Sequence, residues 1–174
     1  LRLAAERGAA SYADTGDTFF LETSFDGAYY AGLLARQSKL PPPHRKGVEL
    51  ILRGEIAVYD ILMLFRLKLN YGLRYEQAAR FFIPGARPAA ELDRLFAFPD
   101  FGDMVKSLPR YLFPLNDRQG ILTVADLERA LWRRLFQTAN TQFYRSVADL
   151  GTAVAFYTIK RVELANLFHV IEGV

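Results

Sequence analysis

The chain has 174 residues, 51% hydrophobic and 24% charged, with 22 Lys and Arg against 19 Asp and Glu, a formal net charge of +3 and no cysteine. That length suits one ordinary domain, and the composition suits a globular rather than a disordered chain. A disulfide scaffold, a thiolate metal site and a cysteine nucleophile are excluded, and so is a membrane span, because charged residues break every apolar run well before about 18 residues.

The chain opens on Leu1 rather than Met, as a piece of something longer would. Residues 1–17 alternate charge and alanine without an apolar h-region, so they read as a lead-in with no signal peptide. Residues 19–38, "FFLETSFDGAYYAGLLARQS", space Phe20, Phe25, Tyr29, Leu33 and Arg36 three to five apart, which predicts a half-buried helix. "LPPPHRKG" breaks it, since consecutive prolines favour polyproline II. A long helix apolar on most faces follows from Val48 to Leu69, ending at Asn70 and Gly72, which tolerate a left-handed cap. A short helix from about Tyr75 to Phe82 stops at Pro84 and Gly85. Pro88 opens the next, "RPAAELDRLFAF".

Short helical pieces punctuated by Pro and Gly lead to Thr123. There Thr123-Val-Ala-Asp126 fits the acidic variant of a capping box. A long helix runs from it to about Ser146, and a last helix covers about Asp149 to Glu172. No window alternates as a strand would, so the fold class is all-α.

Laid on itself at an offset of 106 residues, the chain matches Leu21-Glu22 with Leu127-Glu128, Tyr29 with Leu135, Ile56 with Val162 and Asp60 with Asn166. One offset serving both ends of a helix–loop–helix points to repeated helical units. The predicted organisation is the lead-in 1–17, a helical repeat unit 18–123, and the start of a second, truncated unit 124–174.

The candidates for chemistry are thin. "DTG" at Asp14–Gly16 has the letters of an aspartic-protease triplet but lies in helical surroundings. His44 and His169 have no second His at ligand spacing, so no zinc site is expected. No Gly-rich phosphate loop exists. Glu91/Asp93 and Asp14/Asp17 read as solvated turns and caps, and the aromatics as core rather than a base-stacking platform. The basic residues, 17 Arg and 5 Lys, are scattered, with only "PHRK" and Arg133-Arg134 as local runs, so no nucleic-acid partner is expected. No cofactor is expected either.

The last helix, "TIKRVELANLFHVIEG", is apolar over most of its circumference and therefore predicted to be buried. Lys160 and Glu163 stand three apart and can pair. Glu163 and Asn166 are predicted to tie the helix to loops or helix ends, because each unpaired buried polar group costs about 1–3 kcal/mol. In the repeat register Asp60 would do the same on the first long helix.

Tyr157, Lys160, Glu163, Asn166 and Leu167 fit the pattern Y-x-x-K-x-x-E-x-x-N-L. It resembles the carboxyl-terminal signature of the C subunit of archaeal- and vacuolar-type rotary ATPases, known as the d subunit in the eukaryotic enzymes. "ILRGEIAVYDILMLFRLKLNYG", with Glu55, Arg66, Lys68 and Gly72, approximates an upstream pattern of that family. There Ala57 replaces an Asp and Asp60 an Asn. "FFIPGA" and "LETSFDGAYYAGLL" resemble two further segments. The family's usual Arg after N-L is Phe168 here, and family members are about twice as long, so the resemblance implies a carboxyl half.

It also implies a pseudo-three-fold funnel of helical units and a non-catalytic rotor component. Such a component joins the central-shaft subunits to the membrane proteolipid ring for proton or sodium ion transport. It would lie on the cytoplasmic face, peripheral to the membrane. The exposed basic residues Arg36, Lys39, Arg45, Lys46, Arg133 and Arg134 are candidates for contact with acidic loops or lipid headgroups. The alternatives are an α-helical scaffold binding peptides, for which no period of about 34–47 residues is present, and an enzyme with a helical active site.

Overall fold

The computed structural model describes residues 2–110, 113, 119–145 and 149–173, leaving aside the side chains of 2–4, 7, 11, 15, 89 and 169. Among the described residues there are eight α-helices and no strand: α1 (Arg2–Thr15), α2 (Thr18–Gln37), α3 (Pro42–Phe65), α4 (Tyr75–Ala78), α5 (Ala89–Phe96), α6 (Phe101–Ser107), α7 (Val124–Arg145) and α8 (Leu150–Glu172). The all-α fold is as predicted.

The chain divides into two compact units. One comprises Leu1–Arg36 and Tyr59–Leu108 and holds α1, α2, the end of α3 and α4 to α6. The other comprises Gln37–Val58 and Pro109–Val174 and holds most of α3 with α7 and α8.

In the first unit the lead-in is a helix. The "DTG" letters fall at its carboxyl end, where the Gly16 N–H donates to the Tyr12 carbonyl (2.7 Å) and Gly16 takes a left-handed φ of 69°. Asp17 then caps α2, accepting the Phe19 N–H at 2.9 Å, and takes the Tyr71 hydroxyl at 2.8 Å. Phe19 stacks on Tyr71 and Phe20 packs against Phe81, with ring centroids 4.8 and 5.2 Å apart. Phe25 and Tyr29, predicted for the inner face of α2, are exposed instead. After α3 the ladder widens into a π-turn over Arg66–Asn70, and Gly72 (φ 61°) ends it in the left-handed conformation the sequence called for. Lys68, inside that turn, donates to the carbonyls of Phe96 and Phe98 and so caps the carboxyl end of α5.

In the second unit α3 begins at Pro42, six residues before the predicted start. Prolines are tolerated in a first turn, because their missing N–H has no partner there anyway, and here they open the helix rather than precede it. Ile51 of α3, Ala139 of α7 and Ala155 and Ile159 of α8 form a buried cluster, with Phe136, Phe143 and Val154 against it. Small residues bring helices close: a Cβ on Gly151 would lie 2.7 Å from the Cα of Gly47.

The capping box of α7 is complete. The Asp126 N–H donates to Thr123 Oγ1 (3.1 Å), and the Thr123 N–H donates to Asp126 Oδ2 (3.0 Å). The Thr123 hydroxyl, foremost, and the Leu122 N–H hold the Asp126 carboxyl below its ordinary range. Thr123→Ala is expected to lower the unfolding free energy by about 1 kcal/mol, read from a urea transition, with Thr123→Ser recovering most of it.

The offset of 106 carries α2 onto 124–143 and α3 onto 148–171, within about two residues of the ends of α7 and α8. Burial does not follow the offset. Ile61 is 2% exposed whereas Leu167, its equivalent, is 54% exposed.

Candidate functional site

The polar residues picked out along the sequence sit in unlike surroundings. Glu55, on α3, is buried in the second unit. Its Oε1 accepts from the Thr158 hydroxyl at 3.1 Å and from Arg161 Nη2 at 2.9 Å, both on α8. Thr158 is fully buried. The Arg161 guanidinium lies over the rings of Trp132 on α7 and Tyr157 on α8, 5.5 and 6.0 Å from their centroids. One carboxylate oxygen thus ties α3 to α8, and its cationic partner reaches α7 through a cation–π contact.

Thr158 and Arg161 were not singled out from the sequence. The signal for Arg161 was available, because the offset of 106 sets Glu55 opposite it. The same separation joins His44 to α8, where His44 Nδ1 accepts the Leu150 N–H at 3.4 Å. Residues 106 apart thus touch at two places within this unit.

Asp60, also on α3, belongs to the first unit and is wholly buried. Its Oδ1 accepts the Ile83 N–H at 3.1 Å, which ties α3 to the "FFIPGA" turn. Its Oδ2 lies 3.7 Å from Arg87 Nε, and Arg87 Nη1 pairs with Glu91 at 2.9 Å. Burial pushes the Asp60 carboxyl up to about 6, against the opposing pull of the Ile83 N–H and the Arg87 charge. Beside it the buried Tyr59 phenol is also raised, by burial first and then by Asp26 and Asp60.

The carboxyl half of α8 corrects an expectation. Lys160 Nζ does pair with Glu163 at 2.7 Å and lies over Phe156, but both side chains are about half exposed. Asn166 is exposed, as are Leu164, Leu167, Phe168, Val170 and Ile171. Glu163 and Asn166 therefore do not tie this helix inside the fold, because no described segment packs over its last turns. Apolarity all round a helix fixes its preference for burial and not the presence of something to bury it. The side chain of His169 lies outside the described residues.

The six basic residues differ from one another. Arg36, Lys39, Lys46 and Arg133 are exposed, and Arg134 is half-buried and engaged. Arg45 is exposed but committed, donating from Nε and Nη2 to the Leu40 carbonyl at 3.1 and 2.8 Å across the turn before α3. Among the described residues no group of three or more His, Asp or Glu is placed to hold a metal ion, and no helix is long and apolar enough to cross a membrane. The arrangement is one of structural ties: Glu55 fastens α3 to α8, and Asp60 fastens it to the turn before α5.

The family described as ATP synthase (C/AC39) subunit matches this chain over residues 1–174. No curated protein and no solved structure matches it.

Proposed function

Because the chain belongs to the ATP synthase (C/AC39) subunit family, we propose that it is a non-catalytic central-stalk subunit that passes torque between the rotary shaft and the membrane proteolipid ring. The family match over the whole chain carries this reading. It also sets aside a peptide-binding scaffold unrelated to ATPases. A torque coupler must not slip, and its stiffness has to come from interhelical connections that hold under load. The Glu55–Thr158–Arg161 tie, which joins α3 to α8, is a connection of that kind. The ion moved, proton or sodium, is set by the ring and not by these residues. The protein would lie on the cytoplasmic face as a peripheral part of the complex.

The test is recovery of partners. The tagged protein, drawn from detergent-solubilised membranes of its own organism, is expected to bring down a small proteolipid together with shaft subunits. Recovery of neither, from membranes that contain the ATPase, overturns the reading.

Charge reversal separates the basic residues. Lys39→Glu, Lys46→Glu and Arg133→Glu change exposed side chains and are expected to leave stability within about 0.5 kcal/mol. They are also expected to weaken that recovery in a salt-dependent way. Recovery unchanged at low salt removes these three from the interface.

A further inference from the structure

We propose that Asp60, set against Arg87 and Glu91, forms a proton-linked latch that holds the 82–88 turn against α3 and closes more tightly when Asp60 takes up a proton. The turn reverses at Pro84-Gly85, where Gly85 has a φ of 74° and the Ala86 N–H donates to the Ile83 carbonyl at 3.1 Å. Asp60 grips both of its legs. Oδ1 accepts from Ile83 before the reversal, and Oδ2 faces Arg87 after it.

The second grip is incomplete. Oδ2 and Arg87 Nε stand 3.7 Å apart, and neither makes a hydrogen bond. Arg87 is shared with Glu91, so two carboxylates face one guanidinium. The side chains of Asp60, Arg87 and Glu91 are only 0%, 6% and 15% exposed. An ionised Asp60 whose Oδ2 is buried without a hydrogen bond is costly, and one proton on that carboxylate removes its charge.

When the turn opens, Asp60 meets water and becomes an ordinary aspartic acid. Opening therefore releases the proton. The carboxyl's rise from 3.8 to about 6 in the closed state has burial as its main cause and fits this geometry. A raised acid stabilises the closed turn fully below its ordinary value, and that stabilisation is lost as the pH rises through about 6. Acid tightens the latch and neutral pH loosens it.

Beside Asp60 on α3 stands Tyr59, whose phenol also feels Asp26 and Tyr30 of α2 and Arg66 of the π-turn. Asp26 is itself raised by burial and by Glu22.

The experiment is nuclear magnetic resonance on the full 174-residue chain. The Asp60 carboxyl carbon is expected to titrate near pH 6. Protection of the Ile83 amide, corrected for intrinsic exchange, is expected to fall about tenfold from pH 5 to pH 7. Leu64, buried in α3, should exchange more slowly than Ile83 throughout. Asp60→Asn, which keeps an acceptor for Ile83, should flatten the pH dependence. Glu91→Gln, which frees Arg87 for Asp60, should move the carboxyl midpoint lower, and this variant decides the matter if Asp60→Asn does not fold. Titration of Asp60 in the ordinary carboxylate range, an Ile83 protection that ignores pH, equal exchange at Ile83 and Leu64, or an unmoved midpoint in Glu91→Gln would each overturn the latch.

Discussion

Glu55→Ala is expected to lower the unfolding free energy by roughly 2–4 kcal/mol. The variant strips the acceptor from two donors at once. The Thr158 hydroxyl is fully buried and its bond to Glu55 joins α8 to α3. The Arg161 guanidinium loses its carboxylate and keeps only the Trp132 and Tyr157 rings. The Arg161 side chain is a third exposed, so water relieves part of that loss, and the range sits below the full cost of breaking a wholly buried pair. Glu55→Gln, which retains an acceptor and most of the volume, should cost less than half as much.

The measurement is a urea transition followed by circular dichroism, with a double-mutant cycle through Arg161→Met to isolate the pair. A Glu55→Ala midpoint matching that of the unaltered chain would mean that the tie contributes nothing to stability. The reading of α3 and α8 as fastened by it would then fail.

Gly151→Ala is expected to cost roughly 2–3 kcal/mol, although it adds a single methyl. Its Cβ would fall 2.7 Å from the Cα and 2.9 Å from the carbonyl carbon of Gly47, both backbone atoms that no rotamer change can move. The helices must part or α8 must shift along its axis, and either motion disturbs the packing of Ile51, Ala139 and Ala155 behind it. Gly47→Ala should cost less. Its closest clash, 2.6 Å, is with the amide end of Gln142, which can swing away, while the approach to Gly151 Cα is 3.0 Å. Alanine also suits a helix better than glycine by about 1 kcal/mol, which offsets part of the Gly47→Ala cost.

The double variant should lose less than the two singles added together, because one separation of the helices accommodates both methyls. Strict additivity in thermal unfolding would show that the two glycines do not share a contact.

Much of the local structure was legible because it is written in neighbouring residues. Thr123 and Asp126 announce the start of α7 through a reciprocal cap that spans three residues, and Gly72 and Gly85 announce ends and turns through a conformation that suits glycine. The prolines misled for a related reason. Pro42 and Pro43 carry the same local signal whether they stop one helix or start the next, and the choice depends on what α3 packs against. Phe25 and Tyr29 misled because helical spacing predicts that residues share a face and not that the face is covered.

The ties were legible by half. A buried carboxylate on an apolar helix asks for a partner, and Glu55 and Asp60 both have one. The partners themselves, Arg161 and Thr158 for the first and Ile83 and Arg87 for the second, lie between 23 and 106 residues away.

The sequence by itself determined the all-α class and the placing of most helices, and through its motifs it pointed to the family. Each of these depends on spacing along the chain, which periodicity and capping chemistry fix locally. Tertiary structure alone decided which equivalent positions are buried. Asp60 is enclosed, while Asn166 on the matching helix stands in solvent. The reason is that burial belongs to the neighbour as much as to the residue. The Ile83–Arg87 turn packs over the end of α3, and no described segment lies over the end of α8.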